Sequence, residues 1–350
     1  MKLFNILFTL FGVVTVIFFL FQILPGDPAR MMMDQNEDVE QLEIIKKKYG
    51  FDEPILKQYL YYLNDLSIIS IHSKNPEKIN FIRENKYSYT KIFDFDNATL
   101  VLKFPYLRES YQRRGVKVST IIMDTFPNTV VLAISSILFA TVFGLLLGIL
   151  SALYKETLFD NSIQLFSTFG MSMPSFLSSI IFAWIFGFVL ADITGLNMTG
   201  SLFELDDFGD EYRLELKNLI LPSIVLGIRP IAVISMMMRN SLIETLKKNY
   251  VITAYAKGLS KSKVILNHCL KNSLNPVITA LSGWFASLLA GSVFVEYIFG
   301  WNGLGREIVN SLNLLDVPVI IGAVIVVSFS FIMINIFVDY VYKFLDPRIS

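Results

Sequence analysis

Apolar residues in this chain are gathered into six long runs. A helix needs about 20 apolar residues to cross the hydrocarbon core of a membrane, and every run is long enough. Arg229 is the one charged residue inside them. Because backbone polar groups in lipid must find partners within their own segment, the runs predict six transmembrane α-helices. The runs are Leu3–Leu24, Thr129–Leu153, Ser162–Leu190, Asn218–Met238, Ser273–Val295 and Val317–Val338.

Two of these runs need separate interpretation. The third exceeds the length of a span, which predicts a tilt or a kink near Pro174. The first follows Lys2 and resembles a secretory signal peptide, but such a peptide has an apolar region of only about 7–15 residues. It also leads into Pro25-Gly26-Asp27-Pro28 and not into a small-residue cleavage site. We therefore expect a retained helix.

The charged residues between the runs predict the orientation in the membrane. Arg239–Lys271 contains seven basic residues and one acid, whereas Asp192–Lys217 contains seven acids and two basic residues. Short basic loops stay in the cytoplasm, so the first of these segments lies inside. Six helices then place both termini in the cytoplasm. The long segment Pro25–Phe126 lies outside, together with the Asp192–Lys217 and Glu296–Asp316 loops.

The outer segment is too long for a plain loop. Apolar residues recur at helical spacing in Val39–Tyr49 and, after Pro54, in Ile55–Leu63, which predicts two amphipathic helices against the membrane or the helix bundle. Tyr89–Phe95 and Ala98–Phe104 predict a pair of strands. We expect this segment to be a structural cap without a catalytic role.

Composition agrees with a membrane protein and excludes several kinds of site. Hydrophobic residues make up 53% of the chain and charged residues 17%, and 30 basic residues balance 30 acidic ones. That balance does not favour a nucleic-acid-binding protein. With Cys269 as the only cysteine and with His72 and His268 far apart, we expect neither a disulfide framework nor a metal site. We assign His268 and Cys269 a structural role.

The inner loop contains the most informative pattern, which begins at Tyr250. Lys257-Gly258 is a typical helix stop. Two short helices joined by a glycine turn predict a firm protrusion, which would suit docking into a groove on a soluble partner, with small Ala254 and Ala256 at the contact. A plain basic connector explains the residues equally well, so the residues alone leave both interpretations open.

This loop resembles the EAA loop of ABC-transporter permease subunits, in the version found in the dipeptide, oligopeptide and nickel importers. The matching residues are Tyr250, Thr253, Ala254, Ala256, Lys257, Gly258, Leu259 and Ser260, with the tail His268, Leu270, Asn272, Leu274 and Pro276. Other family motifs match in order along almost the whole chain. They are Leu24–Ala29, Tyr49–Pro54, Gln58–Leu60, Ser110-Tyr111, Phe126–Thr129, Ser172–Phe176, Leu221-Pro222, Glu296–Phe299, Trp301–Arg306 and Leu345–Ile349.

The chain departs from the family pattern outside the centre of this loop. Asn249 stands where an acid often precedes the tyrosine, Gln22 replaces a common arginine, and Asn302 replaces a frequent proline. Ser67–Tyr106 looks like an insertion, and Arg229-Pro230 in the fourth run is also unfamiliar.

The resemblance implies an all-α integral membrane protein with six transmembrane helices, an EAA-type cytoplasmic coupling loop and an extended periplasmic segment. Its parts would be a first transmembrane helix (1–24), the periplasmic segment (25–126) with the inserted region at 67–106, and a permease core with five helices (127–350). The expected location is the bacterial inner membrane. The expected function is to form half of the translocation pathway of an ATP-driven importer that works by alternating access. The substrates would be peptides or, alternatively, nickel chelates or another small solute.

The same resemblance implies partners. They would be a second permease subunit as heterodimer partner, two cytoplasmic ATP-binding subunits, an extracytoplasmic substrate-binding protein and membrane lipid. ATP and magnesium would be bound by the ATP-binding subunits, and no cofactor by this chain. The ATPase-docking residues would be Tyr250, Thr253, Ala254, Ala256, Lys257, Gly258 and Leu259.

No stretch of the sequence fits a nucleotide site of its own. Gly300–Gly305 is rich in glycine, but it has the wrong spacing for a phosphate loop and no Lys-Ser/Thr follows it. Leu281-Ser282-Gly283 is similar to the ATPase signature but lies inside a span, so we interpret it as a chance match. We therefore expect a permease subunit and not an enzyme, with no catalytic residues.

Some polar residues are candidates for the pathway. An ionisable residue inside a span is a functional candidate, so Arg229 could meet a substrate carboxylate, or it could extend to the membrane surface or pair with another helix. Glu296 could hold an outer gate or be a solvated acid at a helix end. Serines of the third and fifth runs could face the pathway, although packing between helices is the favoured interpretation. These serines are Ser172, Ser175, Ser178, Ser282 and Ser287.

Two other classes of protein are the alternatives. An ion-coupled secondary transporter needs acidic or histidine relays inside its spans and inverted repeats, but the runs contain no Asp, Glu or His and show no obvious repeat. A membrane sensor whose outer insertion binds a ligand would not need the motif around Ala254–Gly258.

Overall fold

The computed structural model describes residues 2–23, 27–33, 39–76, 78–82, 87–206 and 208–345. The chain is mostly helical and separates into two compact units. The first unit comprises Met1–Asp124 with Ile308–Phe329, and the second comprises Thr125–Glu307 with Ser330–Ser350.

The helices and strands are named in chain order. The helices are α1 (Lys2–Ile23), α2 (Pro28–Met31), α3 (Val39–Tyr49), α4 (Ile55–Leu66), α5 (Val118–Leu153), α6 (Leu158–Ser172), α7 (Ser175–Trp184), α8 (Ala191–Thr194), α9 (Ile220–Leu246), α10 (Asn249–Ala256), α11 (Lys261–Val264), α12 (Leu270–Ser273), α13 (Asn275–Gly291), α14 (Val293–Phe299), α15 (Leu304–Asn313) and α16 (Val317–Leu345). The strands are β1 (Ile69–Ser73), β2 (Tyr89–Asp94), β3 (Ala98–Lys103), β4 (Phe203–Leu205) and β5 (Tyr212–Leu214).

The first unit contains an antiparallel sheet with the strand order β1–β3–β2. The predicted strand pair is confirmed as β2 and β3. The sequence pattern does not reveal β1, because its alternation is inverted: Ile69 and Ile71 are exposed, whereas Ser70 and His72 are buried. Hydrogen bonds replace apolar packing on that inner side, since the His72 ring nitrogens lie 3.0 Å from Ser70 Oγ and 3.1 Å from the Asn80 carbonyl oxygen.

Helix α4 packs against α1 in the first unit. The two predicted amphipathic helices are confirmed as α3 and α4. Tyr59 and Tyr62 of α4 are buried in one cluster with Val14 and Phe18 of α1, and the Tyr59 hydroxyl lies 2.6 Å from Thr15 Oγ1. Burial of a large apolar side chain contributes about 1.5–3 kcal/mol. The outer segment and the first apolar helix are therefore folded as one body.

Several described helices have the length and composition of membrane spans. Three are continuous, namely Val118–Leu153, Leu216–Leu246 and Val317–Val338. Two more segments pass the same criteria as broken pairs, and α1 contributes the shorter apolar helix Ile6–Gln22. The number of six spans therefore stays a prediction, whereas the helical membrane fold is confirmed.

The third apolar run is not one helix. The kink predicted near Pro174 is present, but α6 and α7 are bent by 108° and form two separate helices. Pro174 has no N–H to continue the helix, and the ring disfavours helical backbone at the residue before it. Met173 is accordingly extended, with φ −72° and ψ 128°. The fifth run is broken more gently, by 50°, before α13.

In the second unit α5 and α9 approach closely at two glycines. A Cβ at Gly148 would lie 2.6 Å from the Ser235 carbonyl oxygen and 2.7 Å from Met238 Cβ, and one at Gly144 would lie 2.8 Å from Ile234 Cβ. Small residues four positions apart let helix backbones come into contact in membranes. This glycine pair thus sets the distance between α5 and α9.

We predict that Gly148→Ala destabilises the protein by roughly 1–3 kcal/mol, because the added methyl group overpacks this contact. The measurement is the thermal unfolding midpoint of the purified protein in detergent. Gly283→Ala is the matched control, since a Cβ on that helical glycine meets nothing within 4 Å. Equal midpoints for the two variants would refute the close contact.

Candidate functional site

The inner loop is a short helical hairpin that continues directly from α9. Helix α9 is capped at Lys247, Lys248 is extended, and α10 then begins at Asn249. Helix α10 ends as the sequence predicts: Lys257 is its C-cap, and Gly258 adopts a left-handed conformation with φ +81°. A side chain with a Cβ is strained in that conformation, which is why glycine fits here.

One side of α10 is packed into the second unit. Val251 and Ala254 are buried in a cluster with Met238 and Leu242 of α9 and with Cys269. The expectation that Ala254 is open to a partner is therefore wrong, because this residue is only 6% exposed and faces the chain's own core. Cys269 is fully buried in the same cluster, in keeping with a structural role.

The other side of α10 is open. Tyr250, Thr253, Ala256, Lys257 and Gly258 are exposed, and Leu259 is half-buried against the core cluster. This face also carries two apolar side chains that the sequence motif did not single out. They are Ile252, 58% exposed, and Tyr255, 41% exposed.

Two hydrogen bonds from α12 reach the helices that precede it along the chain, α9 and α10. Ser273 Oγ donates to Thr245 Oγ1 over 3.0 Å and so joins α12 to the last turn of α9. Asn272 Nδ2 donates to the Tyr250 hydroxyl over 2.9 Å. Hydrogen bonds therefore tie α12 to both α9 and α10.

A buried ion pair lies in the C-terminal part of α9, the helix that precedes this loop. Arg239 Nε and Nη2 donate to the two carboxylate oxygens of Asp160 over 2.7 and 2.6 Å. The Asp160 side chain is fully buried and also accepts from Ser151 Oγ, from Gln164 Nε2 and from the Glu156 N–H. The sequence patterns do not predict this pair. The sequence contains only a weak indication of it: Asp160 lies just before the third apolar run, and Arg239 lies just after the fourth.

The pathway candidates do not form one cluster. Arg229 is exposed, and its Nη2 makes a long 3.5 Å contact with the Met171 carbonyl, next to Ser172. The hydroxyls of Ser172 and Ser282 donate to their own helix backbones, at Thr168 and Thr279. Ser175 is half-buried and begins α7 after the bend.

Glu296 is an anchor inside the fold, and the interpretation as a solvated acid is wrong. Its side chain is fully buried, and its carboxylate accepts from Ser292 Oγ over 2.7 Å and from the Gly305 and Arg306 N–H groups over 2.7 and 3.2 Å. The carboxylate of Glu296, which belongs to α14, thus lies at the N-terminus of α15, where the helix dipole stabilises a negative charge. A Cβ at Gly303 would lie 2.4 Å from Glu296 Oε2, so only glycine fits there.

Comparison with known proteins decides the family. The family of binding-protein-dependent transport system inner membrane components matches residues 144–350, and the family of its N-terminal region matches residues 1–79. This chain belongs to that family. The permease is 32% identical to the di/tripeptide transport system permease protein DppB of Pseudomonas aeruginosa (strain UCBPP-PA14), over 97% of this chain and 95% of the relative.

Two further comparisons agree. The permease is 30% identical to the glutathione transport system permease protein GsiC of Escherichia coli (strain K12), over 99% of this chain and 97% of the relative. A solved structure of the MetNI methionine ABC transporter in an inward-facing conformation matches with a TM-score of 0.53 and 14% identity, over 65% of this chain and 97% of that chain. The permease is therefore a multi-pass membrane protein of an ABC importer.

We predict that Asp160→Ala destabilises the permease by about 3–5 kcal/mol, because it leaves Arg239 buried without its partner. Thermal unfolding of the purified permease in detergent measures the effect. Glu156→Ala removes an acid four residues away whose ion pair with Lys155 is solvent-exposed, and this control should change the midpoint little. Similar midpoints for both variants would show that the buried pair does not hold α9.

Proposed function

We propose that this permease forms half of the translocation pathway of a peptide importer. Two relatives that match it almost end to end, DppB and GsiC, are named for di/tripeptide and glutathione transport. Glutathione is itself a tripeptide, so both names describe short peptides. These relatives support peptides over nickel chelates as the substrate.

The other half of the pathway would come from a second permease subunit, and substrate from an extracytoplasmic binding protein. Energy would come from two cytoplasmic ATP-binding subunits, which hold ATP and magnesium, because this chain has no phosphate loop. The basic Arg239–Lys271 segment supports a cytoplasmic position for the loop and for both termini in the bacterial inner membrane.

The open face of α10 is the observation that carries this proposal. A rigid helix with exposed Ile252 and Tyr255 offers apolar area to a groove on a partner. Because its opposite face is packed against α9, a displacement of α10 is transmitted to a predicted membrane span. ATP then drives transport only if its binding favours one of two arrangements of the spans.

Substitution of Gly258 tests this role. We predict that Gly258→Val lowers ATP-dependent uptake of a labelled dipeptide into proteoliposomes by about tenfold. Valine strains the left-handed backbone at this position and so disturbs the docking loop. A loss of roughly 1.4 kcal/mol in docking free energy corresponds to tenfold weaker docking. Recovery of the ATP-binding subunits on purification should fall as well.

Gly195→Val is the matched control. Gly195 also has a positive φ, +64°, and a Cβ at either glycine meets nothing within 4 Å. Both variants therefore carry similar backbone strain, while only Gly258 lies in the docking loop. Normal uptake together with normal recovery of the ATP-binding subunits in Gly258→Val would rule out docking through this loop.

A further inference from the structure

The first unit contains a partly open cavity of about 300 Å³. Its walls come from α1, from the outer segment and from the start of α16. None of the candidate docking or pathway residues is among its described lining. It is therefore a feature that the importer function does not explain.

Charges of both signs lie on the wall. Lys46 Nζ pairs with Asp27 Oδ2 over 2.9 Å, and both side chains remain about one-third exposed, at 36% and 30%. Burial opposes ionisation of Asp27, but the hydrogen bonds from Lys46 and from the Ala29 N–H outweigh it and hold the pKa of Asp27 below its usual range. Arg108 also lines the cavity and is balanced by Asp65, 2.9 Å away. Asp65 does not itself line the cavity, but with it counted the charges at this site balance.

Aromatic rings form another part of the wall. Tyr49, Phe51 and Tyr111 contact one another with ring centroids 5.4–5.9 Å apart, and all three line the cavity. Ring faces attract cations, and the attraction is stronger where water is excluded. An ammonium group is suited to such a wall.

Tyr62 adds an unused hydrogen-bonding group. This residue lines the cavity and is 1% exposed, and its hydroxyl has no hydrogen-bond partner among the described residues. Burial raises the pKa of the phenol, so the hydroxyl stays protonated and can donate. A buried hydroxyl without a partner costs free energy, which an oxyanion in the cavity would offset.

The cavity also lies at the ends of two apolar helices. Phe18, Phe21 and Gln22 belong to the last turns of α1, and Val317 and Ile321 belong to the first turns of α16. Ends of apolar spans meet lipid headgroups and water, and aromatic residues are enriched at that level.

We propose that this cavity binds a zwitterion, with its ammonium group at Asp27 and the aromatic rings and its oxyanion at Lys46, Arg108 and Tyr62. A ligand of one charge would have to compete with an ion pair, whereas a zwitterion complements both members. The same chemistry is present in a phosphatidylethanolamine headgroup and in a free peptide. The site does not depend on peptide import being the function of the protein.

The experiment uses the complete transporter in nanodiscs. One arm compares retention of phosphatidylethanolamine and phosphatidylglycerol by native mass spectrometry. The other arm titrates dialanine onto transporter in nanodiscs that contain only phosphatidylglycerol. Retention of phosphatidylethanolamine alone assigns the site to lipid, and binding of dialanine alone assigns it to a soluble zwitterion. Either result supports the proposal.

Lys46→Gln is expected to weaken whichever ligand binds by about tenfold, the effect of losing one charge-assisted hydrogen bond. Lys57→Gln is the matched control, because Lys57 forms a similar ion pair with Glu53, 3.1 Å away, and does not line this cavity. Tyr62→Phe should also weaken binding without lowering the unfolding midpoint. The proposal is overturned if neither ligand binds, if phosphatidylglycerol is retained as well as phosphatidylethanolamine, or if Lys46→Gln binds like the unaltered transporter.

Discussion

The buried ion pair between Asp160 and Arg239 is the constraint on which the position of α9 depends. The carboxylate accepts two guanidinium hydrogen bonds and three further hydrogen bonds, which compensate its charge although the Asp160 side chain is fully buried. Bidentate pairs of this kind fix orientation as well as distance. The pair holds the start of α6 to α9, and the glycine contacts at Gly144 and Gly148 hold α5 to the same helix.

Helix α9 therefore has a defined position where the chain enters the loop that contains α10. Only two residues separate it from α10, and the Ser273–Thr245 hydrogen bond connects the return of the chain to the same turn. A protrusion supported in this way transmits movement instead of absorbing it. In the proposed importer, this continuity carries a movement of α10 to α9.

Sequence patterns predict the parts of this molecule that rest on local physics. Long apolar runs predict the membrane helices, the spacing at 39–49 and 55–63 predicts the amphipathic helices, and Lys257-Gly258 predicts the end of α10. Contacts between distant residues are not visible in such patterns, and Asp160 and Arg239 are 79 positions apart.

Besides contacts between distant residues, sequence patterns also fail to predict the burial of individual side chains. Glu296 is an acid at the end of an apolar run, where solvation is the usual outcome, yet the N–H groups of Gly305 and Arg306 bind it inside the fold. Ala254 and Ala256 are equivalent in the motif, but they lie on opposite faces of α10. The sequence pattern does not predict strand β1, because the buried side of this strand is polar. In each case the tertiary partner, and not the residue type, determines the environment.

A photo-cross-link from the open face of α10 tests directly whether this helix docks an ATP-binding subunit. The chain has one cysteine, Cys269, and it is buried, so Ala256→Cys provides a single accessible thiol for a photoreactive maleimide. In the assembled transporter, docking through α10 predicts a covalent adduct with an ATP-binding subunit. Tyr212→Cys, on the exposed strand β5 in the predicted outer loop, should give none. Docking through α10 is contradicted if a transport-active Ala256→Cys complex gives no such adduct.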